Sequence, residues 1–203
     1  MPLNRRTLLA GGVAGAALAT LVGTTPAWAL TAQQATSHVE ATIGELVALL
    51  RQPGSAATRA PELRRIIETR GNLPQIAQFS AGRVWREMNA EQQQRFVDAF
   101  ANYVAVTYSR RFEEYAGNPD IFMGQTIDVG QKGFLVETPI RQAQGEPVSV
   151  EWLVSDRGGK VEVNDLIIEG VSMATTQREE IAAKFQSRGG DVEALITDLA
   201  AAG

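Results

Sequence analysis

Five carboxylates, Glu137, Glu151, Glu162, Asp165 and Glu169, fall on neighbouring segments of strand-like pattern. Brought together across a sheet, paired carboxylates can act as general acid and base. Side-chain parity separates them. Glu151 alternates with Trp152, and Glu162 with Val161 and Val163, so both point away from the apolar face. Asp165 and Glu169 share the parity of Val161 and Val163 and are the acids expected to approach the interior. Asp165 with Tyr103 or Tyr108 is the acid–phenol pair that an enzyme built here would use. Glu169 stands in "LIIEGVSMATTQREE", where an apolar run passes straight into a helix start. It is either the centre of an active site or a charge on the rim of something that only binds.

Other chemistries have little to draw on. The chain has no cysteine, which excludes disulfides and thiolate catalysis, and His38 is its only histidine, far in sequence from any candidate nucleophile. Gly189-Gly190 joins two helical segments with no Lys-Ser/Thr behind it, so it is not a phosphate loop. No metal-ligand spacing and no cofactor motif is found, and Arg110-Arg111 is too small a basic spot for nucleic acid.

The elements that must position these residues follow from periodicity. Thr31 to Gln52 repeats apolar residues at helical spacing, and "QPGSAAT" breaks it. A short helix with Pro61 near its first turn and Gly71 in the C′ position comes next. Asn72 then caps a helix whose buried stripe is read as Ile76, Phe79, Val84 and Trp85. From Asn89 the longest helix runs to Gly117, with Phe96, Phe100, Tyr103, Val104, Tyr108, Phe112 and Tyr115 at helical spacing. After Gly117 the period falls to two. Four strands are expected, Ile121 to Val129, Phe134 to Gln142, Val148 to Ser155, and Lys160 to Ile168 running on toward Met173, joined by the hairpin-sized breaks "GQKG", "AQGE" and "DRGGK". Helices from Thr175 to Arg188 and from Asp191 to Ala201 close the chain. The order predicts an α+β fold with helices on one face of an antiparallel meander.

Residues 1–29 stand apart as an export signal: Arg5-Arg6 as basic region, an apolar run from Thr7 to Val22, and Ala27-Trp28-Ala29 as the cleavage pattern. The arginine pair resembles a twin-arginine signal, although Asn4 precedes it and Thr7, Leu8 and Leu9 follow, so a Sec route stays open. Cleavage near Ala29-Leu30 removes two of the 19 basic residues and none of the 23 acidic ones, leaving a net charge of −6 on a single domain of residues 30–203. That charge argues against nucleic acid and against standing attachment to anionic lipid surfaces.

What remains is an excess of large apolar side chains, Phe79, Trp85, Phe100, Tyr103, Tyr108, Phe134, Trp152 and Met173, each more often core than pocket, and periodicity alone does not divide a filled core from a lined cavity. A resemblance separates the two. "VNDLIIEGVSMATTQREEIAAKF" and "RGGDVEALITDL", with "GRVWREMNAEQQQRFVDAFANYVAVTYSRRFEEYAG" upstream, resemble the MlaC family over most of residues 72 to 201. The chain departs from the family pattern at Ala81-Gly82-Arg83, where many members carry Leu-Gly-Arg or Leu-Gly-Gln. The resemblance implies an NTF2-like α+β cone in the periplasm that holds phospholipid acyl tails inside and leaves the headgroup outside. It further implies hand-off between an outer-membrane lipoprotein-porin complex and an inner-membrane ABC transporter with its lipid-binding, membrane-anchored subunit. On that reading the tail-lining candidates are Phe79, Val84, Trp85, Phe100, Tyr103, Val104, Tyr108, Phe134, Val136, Trp152, Ile168, Val171 and Met173, with Val171 at the open end. Glu169 is then a structural or rim carboxylate, and no cofactor or metal is required. Two other classes stay in view: an NTF2-like isomerase or dehydratase using Asp165 with Tyr103 or Tyr108, and an adaptor without ligand.

Overall fold

The structure, a computed structural model, describes residues 30–113, 120–141, 146–157 and 159–202. The expected export signal with its cleavage pattern, the Phe112 side chain, Tyr115, Gly117 and most of the "AQGE" turn lie outside the described residues.

Helix α1 (Ala32–Arg51) begins with a capping box: Thr31 accepts from Gln34 N while the Gln34 side chain accepts from Thr31 N. Helix α2 (Ala56–Arg70) starts five residues before Pro61, earlier than expected, because Ala56 and Ala60 are buried and draw the preceding turn into the helix. Gly71 ends α2 in extended backbone rather than the left-handed C′ conformation, since it bridges to Val163 in the sheet. Asn72 caps α3 (Leu73–Ala81) as expected, and a single 3-10 turn, Val84–Arg86, leads to α4 (Ala90–Glu113). At 24 residues, α4 is about 36 Å long.

Among the described residues the expected four strands are seven. Asp120–Ile121 (β1) and Ile140–Arg141 (β4) form a separate two-stranded ribbon, while Thr126–Asp128 (β2), Phe134–Glu137 (β3), Val150–Ser155 (β5), Glu162–Ile168 (β6) and Val171–Ser172 (β7) form an antiparallel sheet in the order β2-β3-β5-β6-β7. Pro139, which has no N–H to give a ladder, separates β3 from β4. The last expected strand does not run on to Met173. It reverses at Glu169-Gly170, where φ is +51° and +76°, a two-residue turn of the type that suits a tight hairpin, and β7 pairs back on β6.

Helices α5 (Met173–Ser187) and α6 (Val192–Ala200) close the fold, which is α+β as the order of elements indicates. Packing divides into clusters. Phe96, Phe100, Ile181, Leu195 and Leu199 fill the space among α3, α4, α5 and α6, with Phe96 and Phe100 stacked at 6.0 Å between centroids. Ala35 and Val39 of α1 pack on the inward row of the sheet, Val136, Trp152 and Val154. Leu49, Leu63 and Ile66 join α1 to α2. Among the described residues no helix is long and apolar enough to cross a membrane.

Candidate functional site

Where these clusters meet, five helices and the sheet enclose a cavity of about 160 Å³ with an almost wholly apolar wall. Helical periodicity supplies one side. Phe100, Val104 and Tyr108 stand four residues apart on α4 and so share a face, and Leu63, Ile66 and Ile67 do the same on α2. Leu46 and Thr42 of α1, Ile76 of α3, and Met173, Ala174 and Gln177 of α5 complete the helical wall, and Trp152, Val163 and Leu166 come from the sheet. The Trp152 ring is held in place by its Nε1, which donates to Thr138 Oγ1 at 2.7 Å in a buried bond. Arg70 also reaches the wall, but its guanidinium is committed to Glu45 on α1, whose carboxyl it holds below the usual carboxylate range.

Of the two acid–phenol pairs open in the sequence, Asp165 and Tyr108 both stand on this wall, while Tyr103 is turned toward Glu180. Asp165 uses both oxygens: Oδ1 accepts from Leu166 N and Ala174 N at 2.9 Å each, and Oδ2 from Ser172 Oγ at 2.6 Å, so the carboxylate clamps the end of β6 to the start of α5. Asp165 reaches the cavity wall, as its parity indicated, beside a β-bulge. Val154 pairs with Val163 but Leu153 with Asp165, so Asn164 is an extra residue and Asp165 lies opposite Leu153. Tyr103 donates to Glu180 Oε2 at 2.9 Å, and burial followed by that bond pushes its phenol up to about 12. Tyr108 is raised in the same direction by burial. Both phenols therefore stay protonated at neutral pH. Glu169 occupies the left-handed first position of the β6–β7 turn; its backbone N–H donates to Ser149 O at 2.9 Å and its Oε1 accepts from Ser149 N. That makes it a turn residue that ties the β6–β7 turn to the start of β5, not a group aimed at the cavity.

Of the thirteen tail-lining candidates, Phe100, Val104, Tyr108, Trp152 and Met173 stand on this wall. The other eight do not. Val84 is buried in the helical core, where Trp85 packs edge-on to Phe96 at 6.2 Å, because the chain there is a 3-10 turn and not a continuation of the α3 stripe. Tyr103 is on the next face of α4, under Lys184 of α5. Val136 and Phe134 pack against α1 in the sheet cluster. Ile168 pairs with Val150 and Val171 in the ladder. Phe79, expected to be buried, is 43% exposed, and Val171 is 53% exposed.

Sequence reasoning missed the contribution of α2, although the spacing of Leu63, Ile66, Ile67 and Arg70 carried an ordinary helical signal. It also missed two amides. Asn164 donates to Ser155 Oγ at 2.8 Å and Gln177 to Glu180 Oε2 at 3.3 Å, and in each the carbonyl oxygen is left buried without a donor. Two acceptors on an otherwise apolar wall suit a ligand hydroxyl or an ordered water. Among the described residues, no three acids or histidines cluster so as to hold a metal ion.

A solved phospholipid-binding protein from Ralstonia solanacearum, in complex with a phospholipid, superposes with a TM-score of 0.66 at 21% identity, covering 81% of this chain and 94% of that one. At that identity the likeness concerns the fold. The curated proteins contain no significant match to the chain. The family model described as "MlaC protein" matches residues 40–201, from the middle of α1 through the end of α6, and the chain belongs to the MlaC family.

Proposed function

We propose that this chain is a periplasmic carrier whose cavity receives the acyl tails of a phospholipid, and that it passes the lipid between an outer-membrane lipoprotein-porin complex and an inner-membrane ABC transporter with its membrane-anchored lipid-binding subunit, so maintaining outer-membrane lipid asymmetry. The observation that carries the reading is the carbon-walled cavity at the junction of five helices and the sheet in a member of this family. The phospholipid held by the Ralstonia relative is consistent with it. Phe100, Val104, Tyr108, Trp152 and Met173 of the expected set, with Leu63, Ile66 and Ile76, are the proposed tail contacts, retained by burial at about 25 cal/mol per Å² of apolar surface.

A cavity of about 160 Å³ is below the roughly 300–1,000 Å³ usual for ligand sites, so a whole phospholipid spreads the wall as it enters. Leu30 N donates to Asp156 Oδ2 at 3.0 Å, and cleavage after Ala29 would turn that neutral amide into an ammonium ion facing the carboxylate. Organic extraction of the protein isolated from periplasm without detergent should release about one phospholipid per chain, and a deletion strain should carry excess phospholipid in the outer leaflet. Protein free of lipid, or a deletion strain with an unchanged outer leaflet, argues against the respective half of the reading.

A further inference from the structure

Arg178, on the second turn of α5, is an exposed cation whose guanidinium lies over the ring of Phe79 at 5.1 Å. In a chain of net negative charge, the exposed Arg65, Arg95, Arg111, Arg141 and Arg188 each pair with an acid. Arg178 does not: among the described residues no carboxylate lies within 4 Å of it. Its position is nevertheless fixed. Its guanidinium lies against the Phe79 ring, and Gly82 allows the side chain close approach, with φ at +59° and a Cβ, were there one, only 3.3 Å from Arg178 Nε. Arg83 and Arg86 follow in the chain, both exposed and likewise without a carboxylate within 4 Å, although Glu87 and Glu179 are exposed neighbours in sequence.

The two helices that carry this stack also form the cavity wall. Ile76 lines the cavity three residues before Phe79 on α3, and Gln177 lines it directly before Arg178 on α5. Residues three apart on a helix stand about 5–6 Å apart, so the stack begins one helical step outside the apolar wall. Resting on the carrier reading, we infer that the Phe79–Arg178 stack binds the phosphodiester of the lipid whose tails occupy the cavity. A planar guanidinium offers paired N–H donors that match phosphate oxygens, and its stacking on an aromatic ring holds that fork in place without an acid that would compete for it. Phe79, the exposed aromatic that a tail-lining role does not explain, thus becomes the support of a headgroup contact.

The test offers delipidated mature protein an equimolar mixture of phosphatidylglycerol and diacylglycerol with identical chains and counts each bound lipid by mass spectrometry. Wild type should favour phosphatidylglycerol. Arg178→Gln should lower that ratio by about two- to fivefold, the worth of an exposed ion pair, and Phe79→Ala should lower it in the same direction. Lys132→Gln, an exposed cation beyond β2, should leave it unchanged. Equal ratios in wild type and Arg178→Gln, or no preference in wild type, overturn the headgroup site while leaving tail binding intact. A wild type that takes up neither lipid overturns the carrier reading and this one with it.

Discussion

Replacing Val104 by tryptophan should empty the protein of lipid without unfolding it. Val104 is only half-buried and faces the cavity from the middle of α4, between Phe100 and Tyr108. The cavity, about 160 Å³, is close to the roughly 150 Å³ known to accommodate a benzene ring, so an indole has space to enter. Taking roughly 100 Å² as the apolar area an indole buries beyond a valine, the gain is about 2.5 kcal/mol at about 25 cal/mol per Å². Strain from overpacking opposes it with about 1–3 kcal/mol. The two offset each other to within about 1.5 kcal/mol, or about 6 °C in the melting temperature of a chain this long. Thermal unfolding by circular dichroism and lipid extraction from the same preparation read both consequences. A cooperative fold that keeps its full lipid load would show that tails do not use this cavity. A melt lower by more than about 10 °C would show that the space is not available to a side chain.

Trp152→Phe should cost about 1–2 kcal/mol in urea unfolding, because it removes the buried bond from Nε1 to Thr138 Oγ1, and Thr138→Val in the same chain should recover part of the loss. Asp165→Asn should lower stability by about 1–3 kcal/mol, since one amide oxygen and one NH2 cannot replace a carboxylate that accepts from Leu166 N, Ala174 N and Ser172 Oγ. The lipid held per folded molecule should be unaffected, whereas a catalytic carboxylate would show itself as lost turnover of a bound lipid. Acid should weaken the fold below about pH 4.5. The Glu193 carboxyl is held at about 2 by Arg95 and then Gln92, and Asp198 is lowered by Lys184 and then Arg188. Groups depressed in the folded state contribute fully above their unfolded pKa, and that contribution is lost as pH falls toward the folded value. Denaturant midpoints taken between pH 5 and 2.5 should fall less steeply in Glu193→Gln than in wild type.

How much of this was legible in the sequence depended on element length and regularity. The long aromatic helix declared its faces. Phe100, Val104 and Tyr108, four residues apart, emerge on one wall, while Tyr103, three past Phe100, turns to α5. Alternation in β5 likewise placed Trp152 inward, and Thr138, its buried partner, lies beyond what alternation reveals. Short elements misled. Nine residues of α3 do not define a stripe well enough to tell the exposed Phe79 from the cavity-lining Ile76, and the 3-10 turn that redirects Val84 and Trp85 has no period of its own. Asp165 reached the cavity wall as its parity indicated, but the inserted Asn164 that sets it opposite Leu153 leaves no trace in an apolar strand pattern. At Glu169 the strand was expected to run on toward Met173, and the left-handed backbone that reverses it there carries no periodic signal.

Native mass spectrometry of the mature chain, purified from periplasm without detergent and sprayed gently, tests the central claim most directly. The expected result is a bound species heavier than the apoprotein by the mass of one phospholipid, released on activation as that lipid and absent from Val104→Trp. Wild-type protein that appears only at the apoprotein mass, under conditions where another lipid carrier keeps its ligand, would contradict it.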